Sequence, residues 1–224
     1  MLRLIKKSEI IIMAVLIVSM MSAGNFVYAA TDTYANYAEL SANQVLGVDY
    51  KIQSSTSISS VAVIAIHGGG IEVGTTELAK AVSVLGNYNY YSFLGLLKFD
   101  NSILHITSAN FDEKTGRDIV AKSKYTLSIH GASGTEKVTY LGGLDTALGK
   151  QIQNALTAAG FIVKPAKAGL EGTDKANIAN SNISGMGVQL ELSRGLRDSF
   201  LSKTGSSTLA KYSKAINSVL IKLN

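Results

Sequence analysis

Two short segments with strand patterns, each ending in a His-Gly pair, place the strongest constraint on how this chain of 224 residues can fold. Val61 to Ile66 (VAVIAI) is an unbroken apolar run, rich in β-branched residues, and His67 and three glycines follow it. Such a run is typical of a strand that is covered on both faces. Tyr125 to His130 (YTLSIH) is another strand candidate, and it also ends in a His-Gly pair. We therefore expect a sheet with helices packed on its two faces.

Helical patterns alternate with strand patterns along the rest of the chain. Helices are predicted from Thr75 or Thr76 to Leu85, from about Glu113 to Ser123, from Leu144 to Ala159 and from Thr208 to Leu223. Further strands are predicted at Tyr90 to Leu97, Ile103 to Thr107, Val138 to Leu141 and Val188 to Leu192. This order predicts one α/β domain with an open, mostly parallel or mixed sheet flanked by helices. In such sheets, sites form at the carboxyl ends of the strands.

The first 29 residues have the pattern of an export signal. Three basic residues lie among the first seven, an apolar run covers residues 10–21, and small residues precede position 30. The run is shorter than the roughly 20 residues that cross a bilayer, although a retained anchor helix is the alternative. We expect residues 1–29 to be a signal peptide, residues 30–60 a polar surface segment or edge element, and residues 61–224 the α/β domain. The protein is then secreted, with no stable membrane insertion.

Charge and cysteine content narrow the function classes. Loss of residues 1–29 removes three basic residues and one acidic residue, which lowers the net charge from +5 to +3. A nucleic-acid partner therefore has little support. The chain has 0 Cys and 3 His, so disulfide scaffolds and thiol nucleophiles are excluded. Any metal must be bound by histidine or carboxylate side chains.

Four titratable residues lie where a strand or the loop after it ends. His67 and His130 each follow a predicted strand, Glu72 lies beyond the glycines, and Glu191 is near the end of VQLEL. Histidine and carboxylate ligands suit zinc, and a catalytic zinc keeps one position open for water. A further glutamate could accept a proton from that water, and this combination hydrolyses amides.

Other interpretations of these residues are open. A single histidine at a strand end is often a hydrogen-bonded structural residue, and we expect a supporting or structural role for His105. Glu191 could share a solvated strand face with Gln189, because the two alternate to the same side. The glycines after His67 could cradle a phosphate, but the Lys-Ser/Thr ending of a P-loop is missing. A G-x-S-x-G serine nucleophile motif is also absent.

The motifs resemble those of the poly-γ-glutamate hydrolases of Bacillus and its phages. The matching segments run in order through most of the mature chain, as IHGGGIEVGTTELA, LHITSANFDE, LSIHG, YLGGLD and GVQLELSRGLR. That family resembles a divergent branch of the zinc carboxypeptidases. The resemblance implies a carboxypeptidase-like fold, one zinc ion bound by His67, Glu72 and His130, and Glu191 as the general acid/base.

The expected substrate is poly-γ-glutamate, a polymer with one free carboxylate per residue. Arg194 and Arg197 follow the Glu191 strand, and guanidinium groups bind carboxylates through paired hydrogen bonds. We expect one or both to hold substrate carboxylates, with two surface arginines as the alternative. A zinc amidase or carboxypeptidase that acts on cell-wall peptides is a rival function. A non-catalytic polymer-binding protein on the same fold is another.

Overall fold

The computed structural model describes residues 32–202 and 205–224 as one α/β domain. Within these ranges the strands are β1 Tyr50–Ser55, β2 Val61–Gly69, β3 Asn89–Gly95, β4 Tyr125–Ala132, β5 Val138–Gly143, β6 Ile162–Pro165 and β7 Val188–Ser193. The helices are α1 Tyr37–Asn43, α2 Thr75–Gly86, α3 Lys114–Lys122, α4 Thr146–Ala158, α5 Arg194–Leu201 and α6 Gly205–Leu220.

The seven strands form one mixed sheet in the order β1-β3-β2-β4-β7-β5-β6. Four central strands, β3, β2, β4 and β7, run parallel to one another, whereas β1 is antiparallel to β3 and β5 is antiparallel to β7. The carboxyl ends of β2, β4 and β7 therefore meet at one edge of the sheet. His130 and Glu191 are direct partners across β4 and β7, so the register itself places two of the candidate residues side by side.

Each face of the sheet is covered by its own apolar core. On one face, alternate residues of the central strands pack with α2, α4, α5 and α6, around side chains such as Val63, Leu190 and Ile216. On the other face, Ile64 and Phe93 pack with α1, α3 and the segments that connect the elements. Because both faces are covered, the first six residues of β2 are all apolar. The predicted α/β fold class is confirmed.

The fold differs from expectation in several places. No strand forms at Ile103 to Thr107; a short 3₁₀ helix, Asn101–Leu104, lies there instead. The prediction was wrong because β3 is already paired on both sides, and the apolar residues of that segment are buried under the sheet face. Helix α5, directly after β7, was not predicted. Residues 30–60 were expected to form a surface segment or an edge element; the structure shows the edge strand β1 there, together with a helix, α1, that was not predicted.

Residues 1–29, the predicted signal peptide, lie outside the described part of the chain. None of the described helices combines the length and the apolar character that crossing a bilayer requires.

Candidate metal centre and active site

The loop after β2 folds Glu72 back over His67. The backbone N–H of Glu72 donates to the carbonyl of His67 at 2.9 Å, and Thr75 at the start of α2 donates through its hydroxyl to the Glu72 carbonyl at 2.8 Å. Gly68 and Gly69 make this turn possible. A Cβ on Gly68 would lie 2.1 Å from the hydroxyl oxygen of Thr76, and Gly69 has a φ of +60°, which favours glycine.

Three ligand-type side chains converge at this end of the sheet. The Nδ1 atoms of His67 and His130 are 3.1 Å apart. The carboxylate of Glu72 lies 3.4 Å from His67 Nδ1 and 3.9 Å from His130 Nδ1. Its Oε2 also accepts the backbone N–H of Gly131 at 2.7 Å. Both histidines are almost fully buried, with 2% and 3% of their surface exposed. The structure thus brings together the three residues that the sequence singled out as metal ligands.

These residues fit a zinc ion. His67 Nε2 lies 2.8 Å from the carbonyl oxygen of Ile106, and His130 Nε2 lies 2.9 Å from the hydroxyl of Ser128. Partners on Nε2 fix each ring and leave Nδ1 for a metal. Tetrahedral zinc with ligands at about 2.0–2.2 Å needs ligand atoms roughly 3.3–3.6 Å apart. The three separations, 3.1, 3.4 and 3.9 Å, bracket that requirement.

The charge states of the cluster suit a cation. Burial opposes the charged form of Glu72, but the adjacent His67 outweighs it and lowers the pKa of Glu72 to about 2. Burial, and then repulsion from His67, lowers the pKa of His130 to about 3. Burial also opposes the charged form of His67, yet the Glu72 carboxylate raises the pKa of His67 above its usual value. At neutral pH, Glu72 is therefore anionic and His130 neutral, as metal ligands must be, and a bound metal would displace the proton that Glu72 favours on His67.

His105 also belongs to this cluster. One potential ligand atom on each of His67, Glu72 and His105 lies within 4.8 Å of the other two, and the rings of His67 and His105 are 3.9 Å apart. His105 Nδ1 is 2.6 Å from a carboxylate oxygen of Asp32, which holds the ring in place. Burial lowers the pKa of His105. Asp32 could not be predicted from the sequence, because no local pattern links it to a residue 73 positions further along the chain.

Glu191 is buried within β7, with 4% of its surface exposed. The side chain of Gln189 donates to its Oε1 at 2.8 Å, and Asn177 donates to Gln189 at 2.9 Å. The alternation of the strand does place Gln189 beside Glu191, but both are buried, so the interpretation as a solvated face is wrong. Burial, followed by repulsion from Glu72, raises the pKa of Glu191 to about 8. A carboxyl group with such a pKa is suited to gain and lose a proton near neutral pH.

The two arginines occupy different environments. Arg194 is exposed and forms an ion pair with Asp198, with 2.6 Å between Nε and the carboxylate oxygen. Arg197 is 6% exposed and donates to the backbone carbonyl oxygens of Leu192, Val73 and Ala132. These contacts use three of the N–H donors of its guanidinium and favour a structural role for Arg197, while the expectation that one or both arginines bind substrate stays a prediction. Arg194 keeps the substrate-binding interpretation.

The sequence is similar to those of several proteins of Bacillus subtilis (strain 168). The chain is 42% identical to the SPbeta prophage-derived UPF0714 protein YoqZ over 166 residues, which are 73% of this chain and 60% of YoqZ. It therefore spans less than two thirds of the length of YoqZ. It is 37% identical to the UPF0714 protein YmaC over 202 residues, which are 85% of each chain.

Solved structures show the same fold. A bacteriophage poly-gamma-glutamate hydrolase superimposes with a TM-score of 0.81 at 35% identity, over 86% of this chain and 98% of the other. The zinc-free apo form of YndL superimposes with a TM-score of 0.79 at 32% identity, over 84% of this chain and 97% of the other. A family model described as poly-gamma-glutamate hydrolase matches residues 34–222. With its fold, its sequence relatives and this match in agreement, the chain belongs to the poly-gamma-glutamate hydrolase family.

Proposed function

We propose that this protein is a secreted, zinc-dependent hydrolase that cleaves γ-glutamyl amide bonds within poly-γ-glutamate. The observation that carries the proposal is the convergence of His67, Glu72 and His130 at ligand-like separations, with the buried Glu191 paired to His130 across the neighbouring strands. Family membership supports the hydrolase and the polymer substrate. The existence of a zinc-free apo form of YndL supports the choice of metal.

In the proposed mechanism, three residues bind the metal and Glu191 transfers protons. His67, Glu72 and His130 would hold one zinc ion, which when bound activates water and polarises the scissile carbonyl. Glu191 would accept a proton from the attacking water and then donate it to the departing amine, which completes hydrolysis of the amide. Gln189 would orient the Glu191 carboxyl through its 2.8 Å hydrogen bond. Arg194 would bind a carboxylate of the polymer, in exchange for its contact with Asp198.

The free carboxylates of the substrate require cationic groups at the site. Each γ-linked residue carries a free α-carboxylate, so exposed cationic donors are needed beside the cleaved bond. Attraction between exposed charges weakens with salt, because the Debye length is about 8 Å at physiological ionic strength. We therefore expect KM for the polymer to rise with salt, and to rise less steeply for Arg194→Gln than for the wild type.

Two variants test the proposal. His67→Ala should lose both bound zinc and polymer cleavage, whereas Glu191→Gln should keep zinc and lose cleavage. Zinc is measured by elemental analysis, and cleavage by the length of poly-γ-glutamate on size-exclusion chromatography. Glu136→Gln, in which an exposed glutamate is changed, is the matched control and should keep both properties. A His67→Ala protein with full zinc and full activity would show that the assignment is wrong.

The rival functions give different results in the same experiment. An amidase or carboxypeptidase that acts on cell-wall peptides would release product from those peptides and leave poly-γ-glutamate intact. A non-catalytic binding protein would retain the polymer without shortening it, and Glu191→Gln would leave that retention unchanged.

A further inference from the structure

Arg197 is a buried cation without an ionic partner among the described residues. It is 6% exposed, and the salt bridges of the described chain do not include it. Removal of a charge from water is costly unless the charge is well satisfied. A buried guanidinium that binds no carboxylate therefore needs a specific reason to be there.

The contacts of Arg197 supply that reason. Nε donates to the carbonyl of Leu192 at 3.0 Å, Nη1 to that of Val73 at 2.6 Å, and Nη2 to that of Ala132 at 3.2 Å. These carbonyls belong to three separate segments: the end of β7, the loop before α2 and the end of β4. One planar group thus ties together three parts of the chain that are far apart in sequence.

Each tied carbonyl lies next to a residue of the candidate active site. Val73 follows Glu72 directly, Leu192 follows Glu191 directly, and Ala132 is two residues beyond His130. The guanidinium therefore fixes the backbone next to two proposed metal ligands, Glu72 and His130, and next to the proposed proton donor, Glu191.

Two glycines leave the space that Arg197 fills. A Cβ on Gly131, between His130 and Ala132, would lie 2.6 Å from Cζ of Arg197. A Cβ on Gly74, in the loop after Glu72, would lie 2.9 Å from Cβ of Arg197. Gly74 also has a φ of +100°, whereas Gly131 shows no such strain. The close approach of the arginine thus accounts for the absence of a side chain at Gly131.

We propose that Arg197 is a positioning residue that holds Glu72, His130 and Glu191 in the geometry required for metal binding and proton transfer, rather than a residue that binds substrate. This inference builds on the zinc-dependent hydrolase proposed above. Arginine is needed because its rigid fork presents several N–H donors in fixed directions, whereas lysine concentrates its donors on one atom. Charge alone does not reproduce the three contacts.

The decisive variant is Arg197→Lys, which keeps the charge and removes the fork. We expect zinc affinity, measured by competition with a chromogenic chelator in the absence of substrate, to fall by about 10–100-fold, as is typical when a group that supports metal ligands is lost. We also expect kcat on poly-γ-glutamate to fall while KM stays within about twofold. Arg117→Lys, the same exchange on helix α3, is the control and should bind zinc like the wild type.

A second variant covers the case in which Arg197→Lys fails to fold. Gly131→Ala keeps the arginine and pushes its guanidinium away, so it should weaken zinc binding in the same way. Thermal unfolding of the metal-free proteins establishes that each variant is folded. Loss of folding in both variants would assign Arg197 to the stability of the whole domain and would overturn the proposal.

Other results separate this inference from the proposed function. Zinc affinity within twofold of the wild type in folded Arg197→Lys would overturn the positioning role, as would a rise in KM with unchanged kcat. A wild-type protein that binds zinc but leaves the polymer intact would overturn only the proposed function. A wild-type protein that binds no zinc would overturn both.

Discussion

Replacement of Glu191 by glutamine should stabilise the metal-free protein while it abolishes activity. Glu191 is buried beside other ionisable groups, and its pKa is raised from 4.5 to about 8. A carboxyl group whose pKa is raised by folding stabilises the fold fully below the unfolded pKa, and this contribution is lost as pH rises through the folded pKa. Glutamine has nearly the same shape and cannot ionise, so the variant should not lose this stability as pH rises.

The size of the effect follows from the pKa difference. Each pKa unit corresponds to about 1.4 kcal/mol, so the rise from 4.5 to about 8 corresponds to about 5 kcal/mol. The free energies of unfolding of wild type and Glu191→Gln should coincide near pH 4.5. They should diverge as pH increases, with the variant more stable by several kcal/mol above pH 8.

The assay is urea unfolding of chelator-treated protein at a series of pH values, followed by circular dichroism. Glu136→Gln, at an exposed position, should show the same pH profile as the wild type. Parallel stability profiles for wild type and Glu191→Gln across this pH range would refute the reasoning, because they would show that Glu191 does not bury a charge. A variant that is less stable than wild type at high pH would refute it equally.

Three further predictions follow from contacts of the described residues. Gln189→Leu should lower kcat about tenfold without loss of zinc, because it removes the N–H that orients the general acid; kinetics with elemental analysis tests this. Asp32→Asn should move the pKa of His105 further below its usual value, because the Asp32 carboxylate favours the protonated ring, and an NMR titration of the metal-free protein measures it. Gly68→Ala should lower the free energy of unfolding by about 1–3 kcal/mol, because the added Cβ overpacks this position. Gly149→Ala, inside α4, is the control; its Cβ would make only ordinary contacts, and it should raise the free energy of unfolding by roughly 0.5–1 kcal/mol. Urea unfolding measures both changes.

Residues on buried central strands could be predicted from the sequence. The strand patterns before His67 and His130 are local signals, and the rule that sites form at the carboxyl ends of parallel strands then brings these histidines together. Glu191 was identified in the same way, as a carboxylate in an apolar strand. Glu72 was identified as the acidic residue that follows the loop glycines after β2.

The contacts that support the site could not be predicted, because they join distant segments. Arg197 looked like a substrate ligand since it lies close to Glu191 in sequence, and only the fold shows that its guanidinium is turned toward backbone carbonyls. His105 lies in Ile103 to Thr107, a segment with three apolar residues that was assigned to a strand. That pattern instead reflects burial of a 3₁₀ segment and its extension under the sheet.

The most direct test of the central claim is a zinc titration of the metal-free protein, with poly-γ-glutamate chain length measured at each step. Without metal the polymer should keep its length, and cleavage should rise with added zinc until one ion is bound per chain. Cleavage that is unchanged by complete removal of zinc, or a zinc-saturated protein that leaves the polymer at its original length, would contradict the account.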